Sequence, residues 1–172
     1  MKNTELRWVA YYGFVAGAIL LLIGQPALAG AFFAAAAFAL WRETRWFVGA
    51  GAAAIALTVW TLVGLLLHLP GGVQTVWNVL TALLLAACGG CLCLGFASQL
   101  RRMGESSAMA YLLAALWCAG ELAGPVLTAL GYIGRETVTT VAATLANAAI
   151  ILTIPLALRV QHVFLEEGGR QT

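Results

Sequence analysis

Apolar residues run along this chain in six blocks, and the breaks between the blocks are short and polar. The blocks fall at about 8–23, 27–41, 46–67, 75–98, 108–132 and 137–158. Gly24-Gln25-Pro26 separates the first two, and Arg42-Glu43-Thr44-Arg45 closes the second. His68-Leu69-Pro70-Gly71-Gly72 follows the third, Arg101-Arg102 ends the fourth, and Gly134-Arg135-Glu136 turns between the last two. The pattern predicts an all-α polytopic transmembrane helical bundle of about six spans, forming one transmembrane domain over 1–172. The second span is only about 15 residues long, so it must stand nearly upright or borrow residues from its turn.

Composition agrees with lipid as the solvent. Of the 172 residues, 62% are hydrophobic and 9% charged, and mean hydropathy is +0.93. Apolar side chains this numerous cannot all be buried inside a small soluble fold. Lys2 and Arg7 precede the first apolar run, and Pro-Ala-Leu-Ala-Gly near Ala29 looks like a cleavage site. The charge pairing along the chain favours a retained first helix over a removed signal peptide.

Charge then orients the spans. Lys2, Arg7, Arg42, Arg45, Arg101, Arg102, Arg159 and Arg170 sort to one side, and only Arg135 to the other. Positive charge marks the cytoplasmic side, which predicts a multi-pass protein of the inner (plasma) membrane with both termini cytoplasmic. The same split survives if spans one and two form a re-entrant pair. Arg7-Trp8 and Arg45-Trp46 open two of the three hairpins alike, a thin hint of triplication. Trp and Tyr at span ends, including Trp8, Trp41, Trp46, Trp77 and Tyr132, suit an interfacial belt. No cluster of Lys or Arg exceeds two adjacent residues, so nucleic acid is not an expected partner.

Small residues imply close packing. Gly13 and Gly17 form a GxxxG in span one, and Gly120 and Gly124 another in span five. Such spacing lets helix backbones approach closely and predicts a tight bundle with little lumen.

The candidate chemistry centres on WCAGELAGP, residues 117–125. Glu121 lies about 20 Å into span five, near the middle of a hydrocarbon core about 30 Å thick. An ionised carboxylate there costs several kcal/mol unless it is paired or hydrated. Trp117, Glu121, Pro125, Thr128 and Tyr132 recur by three or four and share one helix face. Pro125 has no N–H to give to the Glu121 carbonyl. In span six Thr137, Thr140, Thr144 and Asn147 form a matching stripe, with Asn147 at a depth where it can meet Glu121. Glu121, Asn147, Thr144, Trp117 and Thr128 are therefore the expected ligand or proton site. Thr58 and Thr61 are further contributors, and Asn78 can line an entrance. The same residues could also simply hold helices together or dock a partner's span.

Cys88-Gly89-Gly90-Cys91 with Cys93 raises a second chemistry. The trio could bind a soft metal such as Cu(I), or cycle as a disulfide, and the two glycines could loosen the helix around them. No Lys or Arg lies within two turns to activate a thiolate, and free cysteine is also an ordinary packing residue. Cys118 is expected in the core. His68 and His162 fall on opposite sides, which excludes paired axial ligation of a haem within one subunit. No phosphate loop, Walker motif or nucleophile elbow is present, and no cofactor is specified. The Glu166-Glu167-Gly168-Gly169 tail reads as a solvated end.

The format resembles, in size and topology, the small membrane subunits that bind substrate for energy-coupling transporters. Three functions fit the chain. One is a transport-associated protein that binds a small solute, cation or proton near mid-membrane, working as a homo-oligomer or with other membrane subunits. The second is a structural or assembly subunit of a larger membrane complex. The third is a membrane thiol or soft-metal protein. An enzyme is the less expected outcome.

Overall fold

The computed structural model describes residues 2–67, 71–130 and 136–170, with side chains for 7–67, 73–127, 130 and 137–163. Six α-helices account for nearly all of it: α1 (Lys2–Leu22), α2 (Pro26–Ala39), α3 (Arg45–Leu66), α4 (Gly71–Arg102), α5 (Ala108–Ala129) and α6 (Glu136–Arg170). No strand occurs among the described residues.

Local chemistry explains the breaks. Gly24, at φ 75°, supplies the left-handed residue after α1, and Pro26 starts α2 where its missing N–H costs nothing. Thr44 caps α3 by accepting the Trp46 N–H on its hydroxyl at 3.4 Å. Gly104, at φ 72°, turns the chain between α4 and α5.

Four helices are long and apolar enough to cross a membrane: Arg45–Leu66, Val73–Arg102, Ala108–Leu127 and Thr137–Val163. The apolar parts of the first hairpin, Arg7–Leu22 and Pro26–Ala39, are shorter. The 14 residues of α2 rise only about 21 Å, less than the thickness of the hydrocarbon core. Helix ends also differ from the apolar blocks. α1 begins at Lys2, α4 at Gly71, and α6 runs on through the expected tail to Arg170. Hydropathy marks where lipid stops, whereas Lys, Glu, Gln and Arg are good helix formers that carry α1 and α6 on past the apolar blocks. The predicted turn residues His68, Pro70 and Arg135, and Tyr132, lie outside the described residues.

Each helix packs against the next, and α6 returns to α1 and α4, so the bundle closes on itself. Its centre is aromatic. Phe14 packs edge-on to Phe96 at 5.3 Å between centroids and stacks with Phe47 at 5.8 Å, while Tyr11 stacks with Phe96 at 6.2 Å. Trp117 meets Phe33 at 6.5 Å. The participation of Tyr11, Phe14 and Ala18 makes α1 a part of the core.

Glycines make room for these rings. A Cβ on Gly17 would come within 2.6 Å of the Phe33 ring, one on Gly95 within 2.6 Å of Phe47, and one on Gly89 within 2.3 Å of Trp117. Of the two GxxxG pairs, a Cβ on Gly120 would meet neighbouring backbone, 2.6 Å from the Ala146 nitrogen, and one on Gly13 would meet the Ala36 methyl at 3.1 Å. Gly17 seats a ring, and Gly124 is in loose contact only.

Contacts among polar groups define one arginine-rich end. Arg7 pairs with Glu43, Arg102 donates to the Glu43 carbonyl, and Arg159 pairs with Glu105 at 2.9 Å. The starts of α1, α3 and α5 thus meet the end of α4 and the Arg159 level of α6.

Candidate functional site

The close approach of α5 and α6 at Gly120 and Ala146 decides where their polar residues go. The residues next in sequence, Glu121 and Asn147, enter the wall of one groove. Helix α4 supplies the third side through Asn78, Thr81, Ala82 and Leu85, and Thr139 adds a hydroxyl from α6. The groove is open rather than enclosed and has a volume of about 340 Å³.

Glu121 is half-buried and Asn147 exposed, and neither side chain has a hydrogen bond or ion pair among the described residues. Pro125 also lines the groove, one turn from Glu121. The α4 wall is fixed from behind. Trp60 and Trp77 stack with centroids 3.8 Å apart, and Trp77 fills the space beside Gly64. The Trp60 indole N–H donates to the Thr81 hydroxyl at 3.1 Å, and Thr81 donates to the Trp77 carbonyl at 2.9 Å. Asn78 accepts from Gln74 at 3.2 Å.

The walls of this groove carry one carboxylate, two amides and two hydroxyls, so acceptor oxygens stand there beside amide N–H donors. Such a surface can receive a cation or the N–H groups of an ammonium ion. The volume falls at the lower end of the range of small-molecule pockets.

The expected site residues do not all converge. Thr144 is exposed, lies off the groove and donates to the Thr140 carbonyl of its own helix at 2.8 Å. Trp117 is buried in the bundle centre, with no partner for its indole N–H among the described residues. The side chain of Thr128 lies outside the described residues. Thr58 and Thr61 donate to carbonyls of their own helix at 2.9 and 2.8 Å. Thr81 and Thr139 were not expected. The Asn78–Thr81 spacing of three residues put both on one face of the helix and was the available signal for Thr81.

Cys118 and the Gly89-Gly90 pair belong to the α4–α5 contact. Gly89 seats Trp117, and a Cβ on the adjacent Gly90 would meet the Cys118 sulfur at 2.9 Å. The two glycines thus stay helical and admit large atoms from α5. Cys88 and Cys93 are buried, while Cys91 is half-buried and lies near Gly49 of α3. Among the described residues, no group of three or more His, Cys, Asp or Glu is placed to hold a metal ion.

Comparison with protein families, with characterised proteins and with solved structures finds no match to this chain. The description that stands on sequence and structure is an all-α membrane protein with a polar groove between α4, α5 and α6.

Proposed function

We propose that this chain is a transport-associated membrane protein that binds a small organic cation, such as a protonated amine, in the groove beside Glu121. The observation that carries the reading is a half-buried carboxylate without a charged or hydrogen-bonding partner among the described residues, facing a groove of about 340 Å³. A carboxylate at that depth is costly unless a cation or water meets it. An ammonium ion would neutralise Glu121 and donate to the oxygens of Asn147 and Asn78. The groove is larger than a bare proton or metal ion needs, which favours an organic cation.

In this reading the arginine-rich end faces the cytoplasm of a cell whose inner membrane holds the protein, following the eight-to-one split of basic residues. The chain works as a homo-oligomer or beside an energising subunit.

The test is calorimetric titration of the purified protein with a panel of small primary and quaternary ammonium ions. Wild-type protein should bind at least one of them, and Glu121→Gln should abolish that binding while keeping its thermal unfolding midpoint. Full binding by the folded variant would sink the reading, as would a wild-type protein that binds none of the panel.

A further inference from the structure

A second groove, of about 380 Å³, lies at the arginine-rich end, lined by Trp46 of α3, by Leu94, Ser98, Arg101 and Arg102 of α4, and by Tyr111 of α5. The α4 residues follow one helix face in a fixed order: Leu94, then Ser98 one turn on, then the two arginines another turn on. Leu94 lies about 11 Å deeper than Arg101 along the helix. Apolar, hydroxyl and guanidinium groups thus succeed one another in the direction in which a phospholipid runs from acyl chain to phosphate. Trp46 and Tyr111 flank the groove from the first turns of two other helices, where aromatic rings sit at headgroup level.

Among the described residues, the charge at this end is not balanced internally. Glu43 is engaged by Arg7, and Glu105 by Arg159. Arg101 has no hydrogen bond or ion pair among the described residues, and Arg102 donates only to the neutral Glu43 carbonyl. Among the described residues, no carboxylate lines the groove to receive the ammonium of a zwitterionic headgroup.

We infer that this groove is a binding site for an anionic phospholipid, with the headgroup phosphate held by Arg101, Arg102 and the Ser98 and Tyr111 hydroxyls. The site commits to a lipid, because the phosphate contacts sit above an apolar and aromatic wall that free phosphate would leave bare.

The full-length protein in detergent micelles is to be analysed by native mass spectrometry with phosphatidylglycerol, phosphatidylcholine or sodium phosphate added. A single phosphatidylglycerol adduct should form in preference to phosphatidylcholine, and sodium phosphate should not compete for it. Arg101→Gln should weaken the adduct about fivefold, the value of one arginine near an anionic surface. Arg101→Lys should recover most of that loss. Arg45→Gln, which removes a charge at the same end but outside the groove, should leave the adduct unchanged. Equal binding of the two lipids, displacement by sodium phosphate, or an equal loss in Arg45→Gln would each overturn the site.

Discussion

The indole of Trp117 occupies the space that a side chain at Gly89 would need, since a Cβ there would come within 2.3 Å of the ring. This relationship sets the α4–α5 contact at the bundle centre. Gly89→Ala should therefore lower stability by about 1–3 kcal/mol through overpacking. Gly124→Ala is the control, because its Cβ would meet only the Thr139 methyl at 3.9 Å. It should leave stability unchanged or raise it slightly through helix propensity. Denaturation midpoints in one detergent check the pair, and an equal fall in both would remove the packing account.

The Tyr11 hydroxyl donates to Gln99 Oε1 at 2.9 Å inside the bundle, across 88 residues of sequence. The amide nitrogen of Gln99 already lacks a partner among the described residues. Tyr11→Phe should cost about 1–3 kcal/mol by leaving the buried oxygen unpaired as well. Adding Gln99→Met should recover much of that loss, because it removes the orphaned amide. A double-mutant cycle read by thermal unfolding would show this coupling, and additive losses would contradict it.

Asn147 and Thr144 lie one turn apart on α6, but only Asn147 lines the groove. If the groove binds an organic cation, Asn147→Leu should weaken binding about tenfold, the value of one hydrogen bond to a charged group. Thr144→Val should have no effect, since the Thr144 hydroxyl is spent on its own helix. Calorimetric titration of the two variants separates the groove from the threonine stripe.

The first hairpin can be tested by labelling. In a variant with its native cysteines replaced by alanine, Gln25→Cys and Ser106→Cys should react with a membrane-impermeant maleimide from opposite sides of oriented vesicles. Labelling of both from the same side would mean that α1 and α2 enter and leave the membrane on one face.

Much of the fold is legible in local sequence. Gly24-Gln25-Pro26 and Thr44 mark helix boundaries because φ, a missing N–H and a capping hydroxyl act within a few residues. The short second crossing is legible too: the block at 27–41 is only about 15 residues, and the 14-residue α2 rises less than the hydrocarbon thickness. The role of the glycines is less legible. Gly89 and Gly90 look like a loosened CxxC on their own, and only the arrival of α5 gives them their occupants, Trp117 and Cys118.

The candidate site divides in the same way. Sequence by itself determined that Glu121 and Asn147 sit deep in apolar helices, because depth follows from rise per residue and from where charge interrupts the apolar runs. It also determined the membrane class, because composition alone fixes how much apolar surface must leave water. Tertiary structure decided which polar residues share a wall. Helical rotation and the Gly120–Ala146 approach bring Glu121 and Asn147 to one groove with Asn78, Thr81 and Thr139, and turn Trp117 into the core. Helix periodicity places side chains on faces, but which face meets a neighbour depends on how side-chain volumes fit across the interface, and that is a property of two helices at once.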